Sequence, residues 1–544
     1  MKTTLIGINA KYIHTNLAIR LLKANTENPV DMIEFTIKDN NNTILNHIID
    51  NNYEIVGISC YIWNIEKVKE IITELKNLNK NIIIILGGPE VSYDPNLYIN
   101  EYDVDYVIIN EGEVAFNALL NKLNNNMDGD IPNLVSKDYI GKSCEICNLK
   151  ALKSPYYLPN DYASRITYIE TSRGCPFNCS YCLASLEKHV RFFDIEQVKK
   201  DIIYLQEKGA RTFKFLDRTF NTDVKAATEI FSFIIENHLP NTSWQFEITG
   251  DILHNDIIEY LNNNAPKNLF RFEIGIQSTN IQTNRLVDRI QDNQKLFNNI
   301  LKIQNAGIID LHLDLIAGLP QEDIISFANT FDEVIALRPL ELQLGFLKML
   351  KGTKLRREAD KYGYVYNDLA PYEIISNDFL SVNDIKDIKL VEEVLEKFYN
   401  SQFMPKTIRY ILDNNTSAFN FFLAFGKFYE ASFSWTNYNV HDLFIRLLSY
   451  LKSINYFNYD YVFFLMKYDY LSYFKIKPKI WWQRIPKSKR NKLIEELHNN
   501  SLSEYSLEDL YRNSIIEPFN DSYLIAIYKH NYHKIKYLPL IILF

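Results

Sequence analysis

Residues 166–185 read ITYIETSRGCPFNCSYCLAS, a short β-branched stretch that runs straight into a loop carrying Cys175, Cys179 and Cys182. The first part has the composition of a strand. Gly174 and Pro176 suit a chain that turns tightly around a compact object. Structural zinc needs a closed set of four ligands, usually as two spaced pairs, and no second pair follows at such spacing. An iron–sulfur cube normally takes four thiolates, so a compact set of three leaves one iron open to a small molecule.

The strand-then-loop unit repeats downstream. RTFKFLD (211–217), SWQFEITG (243–250), LFRFEIGIQ (269–277), LHLDLIAG (311–318) and LELQLGFL (340–347) are further strands, and each but the last precedes a plausible helix. Six β/α units over residues 164–352 predict a partial (β/α)6, TIM-like barrel, with its functional residues at the carboxyl ends of the strands. Upstream, TTLIGIN (3–9), VDMIEFT (30–36), EIVGISC (54–60), NIIIIL (81–86) and DYVIIN (105–110) alternate with amphipathic segments such as EKVKEIITELKNL (66–78). Residues 1–123 therefore read as a doubly wound, Rossmann-like α/β domain. Its strand-end loops, 9–14, 59–63, 87–90 and 110–113, would form one pocket. Residues 124–163, with NNNMDGDIPN, a Cys144/Cys147 pair and SPYYLPN, read as a linker with room for one hairpin. Residues 353–544 have mainly helical period, rich in aromatics and lysine.

The chain has 544 residues, enough for two or three domains, and a formal net charge of -8, which carries no broad basic field for nucleic acid. MKTTLIGINA lacks a signal-peptide pattern, and no apolar run reaches the ~20 residues of a bilayer span. Six cysteines, three tightly clustered, suit thiolate ligation in a reducing cytoplasm better than a disulfide framework. Cys60 reads as a small buried hydrophobe. No glycine-rich phosphate loop, GxGxxG or serine–histidine triad is present, so kinase, dinucleotide and hydrolase readings have no support.

The CxxxCxxC loop, with the aromatic Tyr181 before the last cysteine, resembles the radical SAM superfamily. The resemblance implies that the triad holds a 4Fe-4S cluster whose open iron binds S-adenosylmethionine (SAM), and that one electron then cleaves the SAM carbon–sulfur bond. It also implies SAM contacts at Tyr181, Asp217 after the second barrel strand, Glu247, Gln277, and Ile316 and Gly318 in the late strand motif LDLIAGLPQE. At Asp217 the family more often shows a glycine–glycine–glutamate.

A doubly wound domain ahead of such a barrel is similar to the class that includes the magnesium-protoporphyrin ester cyclase and the cobalamin-dependent C-methylases. The loops GISCYIWN, LGGPE and INEGE resemble those that wrap the corrin in that class. The resemblance implies cobalamin contacts at Asn9, Tyr12, Ser59, Trp63, Gly87, Gly88, Glu90, Glu111, Gly112 and Glu113. The lower-ligand motif DxHxxG is absent: Tyr12 and Leu17 flank His14 where Asp and Gly would stand, so His14 reads as a loop residue rather than a cobalt ligand. The expected activity is methylation of an unactivated carbon in a small molecule or peptide, fed by a donor such as flavodoxin or ferredoxin. Radical cyclisation or rearrangement is the alternative. A tRNA methylthiotransferase is disfavoured because residues 1–123 hold only Cys60, and a cobalamin sensor because the triad is intact.

Overall fold

The computed structural model describes residues 1–125, 129–141, 147–474, 481–482, 485–519, 522–529 and 532–539. Cys144 lies outside them. The chain divides into two compact units, residues 1–385 and 386–544.

The first unit holds two sheets. In the N-terminal sheet, β1 (Thr3–Asn9), β2 (Val30–Thr36), β3 (Ile55–Ser59), β4 (Ile83–Gly87) and β5 (Tyr106–Ile108) are parallel in the order β2-β1-β3-β4-β5. Helices α1 (Leu17–Ala24), α2 (Asn41–Asp50), α3 (Ile65–Leu78) and α4 (Pro95–Glu101) form the crossovers, and α5 (Glu113–Asn125) follows β5. Burial on both faces explains why β1, β3 and β4 carry continuous apolar runs, LIGI, IVGI and IIIL, rather than alternating. The stretch after α5 adds β6 (Leu134–Ser136) and β7 (Tyr139–Ile140), an antiparallel hairpin that pairs onto β5 and extends the sheet.

Next come β8 (Thr167–Ile169) and a two-residue antiparallel pair, β9 (Ser172–Arg173) with β10 (Arg191–Phe192). The second sheet then runs β11 (Thr212–Phe215), β12 (Ser243–Ile248), β13 (Phe270–Gln277), β14 (Asp310–Ala317) and β15 (Glu341–Phe346). All six strands are parallel and in sequence order from β8 to β15, and these two edge strands are not paired to each other. Helices α6 (Ile195–Glu207), α7 (Val224–Asn237), α8 (Asn255–Asn264), α9 (Ile281–Leu286), α10 (Asn293–Ala306) and α11 (Ile324–Ile335) lie between the strands. This is the open, partial barrel that the repeats imply.

Alternation divides the labour within this sheet. Phe213, Phe215, Trp244, Phe246, Phe270 and Phe272 are fully buried and stack across strands, Phe213 on Trp244 at 3.8 Å between centroids. The intervening residues carry charge: Lys214 reaches Glu273 at 2.9 Å, Arg271 donates to His312 Nδ1 at 2.9 Å, and His312 Nε2 lies 3.0 Å from Asp314. A polar inner face suits a barrel that holds a polar ligand rather than a packed core.

The second unit is mainly helical, as the period of its sequence implies, through Leu507–Asn513, and it adds an antiparallel sheet of β18 (Ser514–Phe519), β19 (Ser522–Lys529) and β20 (Tyr532–Pro539), numbered after the short pair β16 (Val365–Tyr366) and β17 (Ile374–Ser376) of the first unit. SIIEPF, SYLIAIYK and YHKIKYLP are rich in β-branched and aromatic residues, which favour strands over the helical period of the preceding text. No described helix is long and apolar enough to cross a membrane.

Candidate active site

The cysteine loop, residues 174–190, is a hairpin closed at its base by the β9–β10 pair. Gly174 opens it at φ +92°, and a side chain there would stand 2.3 Å from the His189 carbonyl oxygen, so the position needs glycine. Backbone bonds fix the rest: Cys175 N–H donates to Glu187 O at 2.9 Å, Cys182 N–H to Cys179 O at 3.0 Å, and Ser180 N–H to Val287 O at 2.9 Å. Cys175 and Cys179 are buried and Cys182 half-buried; burial pushes the Cys182 thiol up. Among the described residues no three His, Cys, Asp or Glu side chains converge as ligands of a single ion. A cube asks for something else, since each of its cysteines binds a different iron. Three cysteines held on one short, backbone-braced loop fit that demand.

Asp217 follows β11 and is buried beneath this loop. Its carboxylate accepts from Thr171 N–H at 3.0 Å, Thr171 Oγ1 and Ser172 Oγ at 2.6 Å. Through these bonds Asp217 braces the cysteine loop. Burial raises its carboxyl to about 6 despite the donors. Tyr181 is half-buried in the loop. Gln277 ends β13 at φ +68°, with its side-chain oxygen buried and without a partner among the described residues. Ile316 is half-buried on the inner face. Gly318, at φ +100°, gives its carbonyl to Tyr364 Oη at 2.9 Å and Asn377 Nδ2 at 3.0 Å.

A cavity of about 810 Å³ opens at the carboxyl ends of β1, β3 and β4 and continues to the mouth of the second sheet. Asn9, Ser59, Trp63, Gly87, Gly88 and Gly112 line it, as do Glu90, Glu111, Glu113 and, from the barrel, Glu247. Gly88, at φ +115°, lies against the Cys60 carbonyl, where a Cβ would meet oxygen at 2.4 Å. Cys60 itself is fully buried. Trp63 stacks on Tyr61 at 4.3 Å, donates its indole N–H to Ile8 O at 3.2 Å and leaves a flat face in the cavity. Leu5, Gly57, Ile85 and Phe116 add apolar lining.

Tyr12 is not part of this lining. It is 57% exposed, bonded to Asp161 at 3.3 Å, with Arg165 over its ring. His14 lines the cavity with Nδ1 2.6 Å from Tyr168 Oη; burial, with Lys11 and Lys214, holds its pKa below the usual range.

Three assigned acids turn out to be paired. Glu111 binds Arg173 at 3.2 Å and Arg191 at 2.7 Å, while Glu113 binds Arg173 at 2.7 Å. Arg173 also reaches Glu170 at 3.0 Å. Glu90 accepts from Tyr372 Oη and lies 3.4 Å from Lys351 Nζ. Sequence reasoning passed over Arg173, although it stands beside Gly174 in the decisive stretch, and over Arg218 and Lys351, which also line the cavity. No motif marks the last two.

Behind the site, Glu322 is fully buried, accepting from Ser278 Oγ at 2.5 Å and Thr330 Oγ1 at 2.9 Å, and burial raises its carboxyl to about 7. A carboxyl with a folded pKa above its unfolded value adds stability that is complete below the ordinary 4.5 and is lost as pH rises through about 7. Glu322→Gln is therefore expected to flatten the fall in stability between about pH 5 and 7.5. Denaturant midpoints across that window measure it, and an unchanged slope contradicts the assignment.

The sequence matches the B12 binding domain over residues 3–120, the Radical SAM superfamily over 169–334 and a family of unknown function, DUF4080, over 360–544. An uncharacterized methyltransferase of Pyrococcus horikoshii is 31% identical over 209 residues, which are 35% of this chain and 45% of that protein. The cobalamin-dependent radical SAM methyltransferase TokK of Streptomyces tokunonensis is 24% identical over 301 residues, 51% of this chain and 44% of that one. The chain thus spans under half the length of these relatives. The structure of the cobalamin-dependent S-adenosylmethionine radical enzyme OxsB with aqua-cobalamin and S-adenosylmethionine bound superposes with TM-score 0.60 at 14% identity, covering 92% of this chain and 81% of that one, and so shares the fold. The chain thus carries a B12-binding domain, which implies cobalamin, followed by a radical SAM domain, which implies a 4Fe-4S cluster and SAM.

Proposed function

We propose that the chain is a cobalamin-dependent radical methyltransferase acting on an unactivated carbon of a small molecule or peptide. The observation that carries this reading is the continuous cavity, which has the loops of the N-terminal sheet on one side and Glu170, Arg173, Lys214, Arg218 and Glu247 on the other. When bound, the cluster and SAM supply a 5′-deoxyadenosyl radical and cobalamin supplies the methyl group.

In this reading Cys175, Cys179 and Cys182 bind three irons, and Asp217 keeps their loop in place. The orphaned Gln277 oxygen, beside the half-buried Ile316, suits a donor group of SAM, because a buried acceptor without a partner is costly. Gly87, Gly88 and Gly112 allow close approach of a large planar ligand, with Asn9 and Ser59 offering polar contacts. The stacked Trp63 and Tyr61 give it an apolar platform. Glu247, raised by burial to about 7, can hold or release a proton at the cavity edge near neutral pH. In outline, residues 1–123 serve cobalamin, 124–163 link, 164–352 serve the cluster and SAM, and 353–544 have no assigned role. A low-potential one-electron donor of the flavodoxin or ferredoxin kind, in a reducing cytoplasm, completes the system.

Hydrogen abstraction leaves 5′-deoxyadenosine and methionine, whereas methyl donation leaves S-adenosylhomocysteine. Reduced, cobalamin-loaded protein given SAM is expected to form both nucleoside products, and cobalt-free protein only 5′-deoxyadenosine. S-Adenosylhomocysteine formed equally with and without cobalt would contradict the cobalamin role.

A further inference from the structure

Residues 347–377, which leave β15 and contain the β16–β17 pair, form a strap that touches the N-terminal domain through Lys351 and Tyr372. Both side chains hold one group, the carboxylate of Glu90 in the LGGPE loop. Tyr372 Oη donates to Glu90 Oε1, while Lys351 Nζ lies 3.4 Å from the same oxygen and donates to Tyr98 Oη of α4 at 3.2 Å. Glu90 is buried, so these partners stand in for water. Its own domain grips the loop less firmly at this point. Cys60 N–H donates to Gly87 O at 2.7 Å and Ser92 Oγ to Gly88 O at 2.8 Å, but Glu90 N–H reaches Cys60 O only at 3.5 Å, the long limit of a hydrogen bond. The barrel side of the strap is well tied. Leu347 N–H donates to Ala317 O at 2.9 Å, Ile374 N–H to Leu347 O at 3.1 Å and Met349 N–H to Tyr372 O at 2.9 Å, and Tyr364 and Asn377 both donate to the Gly318 carbonyl. Tyr372 itself sits at φ +58°, uncommon for an aromatic residue, and its surroundings over-determine that conformation: it is fully buried, its N–H donates to Leu369 O at 3.0 Å, and Arg356 lies 4.7 Å over its ring. Lys351 falls between the stretches matched to the Radical SAM superfamily and to DUF4080, and Tyr372 falls within the latter.

Resting on the reading that the N-terminal cavity takes cobalamin, we propose that Lys351 and Tyr372 are positioning residues for that ligand: by holding Glu90 from the barrel side they preset the loop 87–92 in the shape that binds it. A loop already in place loses less conformational freedom when the ligand arrives, and the affinity is higher accordingly. The two donors act as a unit because they share one carboxylate oxygen. Removing either leaves a buried acceptor half satisfied and frees the loop at the point where its own domain holds it least. The remaining attachments of the strap use neither side chain: Leu355 N–H donates to Ser180 O of the cysteine loop at 2.9 Å, and the bonds to Gly318 come from Tyr364 and Asn377. Substitution at Tyr372 therefore acts on the cobalamin side of the cavity and leaves the cysteine loop braced.

The test titrates hydroxocobalamin into the full chain, reconstituted with iron without oxygen, and follows binding by quenching of the intrinsic fluorescence; 5′-deoxyadenosine formed per iron from SAM and dithionite reports on the barrel in the same preparations. The dissociation constant is expected to rise about tenfold in Tyr372→Phe and in Lys351→Gln, the effect of one lost hydrogen bond to a charged acceptor, and to stay within about threefold of the parent in Lys351→Arg, which keeps the charge. In the double variant Tyr372→Phe, Lys351→Gln the rise is expected to fall short of the product of the two single effects, the mark of residues that act on one group. Amide hydrogen exchange in loop 87–92 of the ligand-free chain should quicken in Tyr372→Phe, while 5′-deoxyadenosine per iron stays within about twofold of the parent. Unchanged cobalamin affinity in both single variants overturns the proposal, as does a fully multiplicative double variant. So does a fall in 5′-deoxyadenosine that matches the loss of affinity, which would make the strap a general brace. If Tyr372→Phe does not fold, the Lys351 pair decides: Lys351→Arg binding as poorly as Lys351→Gln overturns the proposal, and Lys351→Arg binding like the parent upholds it. Failure of the parent itself to take up cobalamin refutes the underlying reading instead.

Discussion

Replacing Cys175, Cys179 and Cys182 together by alanine is expected to lower SAM cleavage at least roughly a thousandfold, because the electron that breaks the carbon–sulfur bond then has no resident carrier. Cobalamin retention should be unchanged, since the cavity proposed for it is lined from β1, β3, β4 and the start of α5 by other residues. The comparison is clean because the loop does not depend on its sulfurs for its path. Gly174, the Cys175–Glu187 and Ser180–Val287 backbone bonds and the Asp217 carboxylate all survive the substitution. Counting 5′-deoxyadenosine and iron per chain measures the effect. Cleavage at the parent rate by the triple variant would remove the cluster from the account.

Arg173→Met is expected to produce the largest loss of stability, about 3–5 kcal/mol, because it leaves carboxylates in a half-buried site without their cation. Glu111 keeps Arg191, but Glu113 has no other ion pair among the described residues, and Glu170 loses its partner as well. Their side chains are only 5% exposed for Glu113 and 18% for Glu170, so water compensates little. The methionine keeps much of the stem volume, which separates the loss of charge from a packing defect. A lower denaturant midpoint with an unchanged slope is the expected reading. Because Arg173 adjoins Gly174, iron content should fall with it. A loss below about 1 kcal/mol would place these ions among ordinary surface pairs.

That network also shows where the sequence stopped being legible. The strands of both sheets were readable because a buried parallel strand is apolar throughout and a half-polar barrel strand alternates, as in FRFEIGIQ. The cysteine loop was readable because metal ligation needs particular residue types at short spacing. Glu111 and Glu113 were correctly placed at a strand-end loop, yet their partners lie 60 to 80 residues away, a pairing that no local pattern encodes. Asp217 was located at the right strand end, but which neighbours its carboxylate would meet depended on the path of Thr171 and Ser172. Tyr12 failed for a similar reason: Arg165, from beyond the linker, holds its ring outside the cavity. Arg218 and Lys351 carry no motif, and only the fold brings them to the cavity. The final three strands were hidden because they follow a long helical run and differ from it in propensity more than in hydrophobicity.

The most direct test of the account is iron and cobalt per chain in the parent protein, purified without oxygen after cobalamin is supplied. One chain is expected to hold about four iron and about one cobalt, the complement of one cube and one corrin. Iron without cobalt would contradict the assignment of the N-terminal cavity, and absence of both metals would contradict the central claim that this chain is built around a cluster and a corrin facing one cavity.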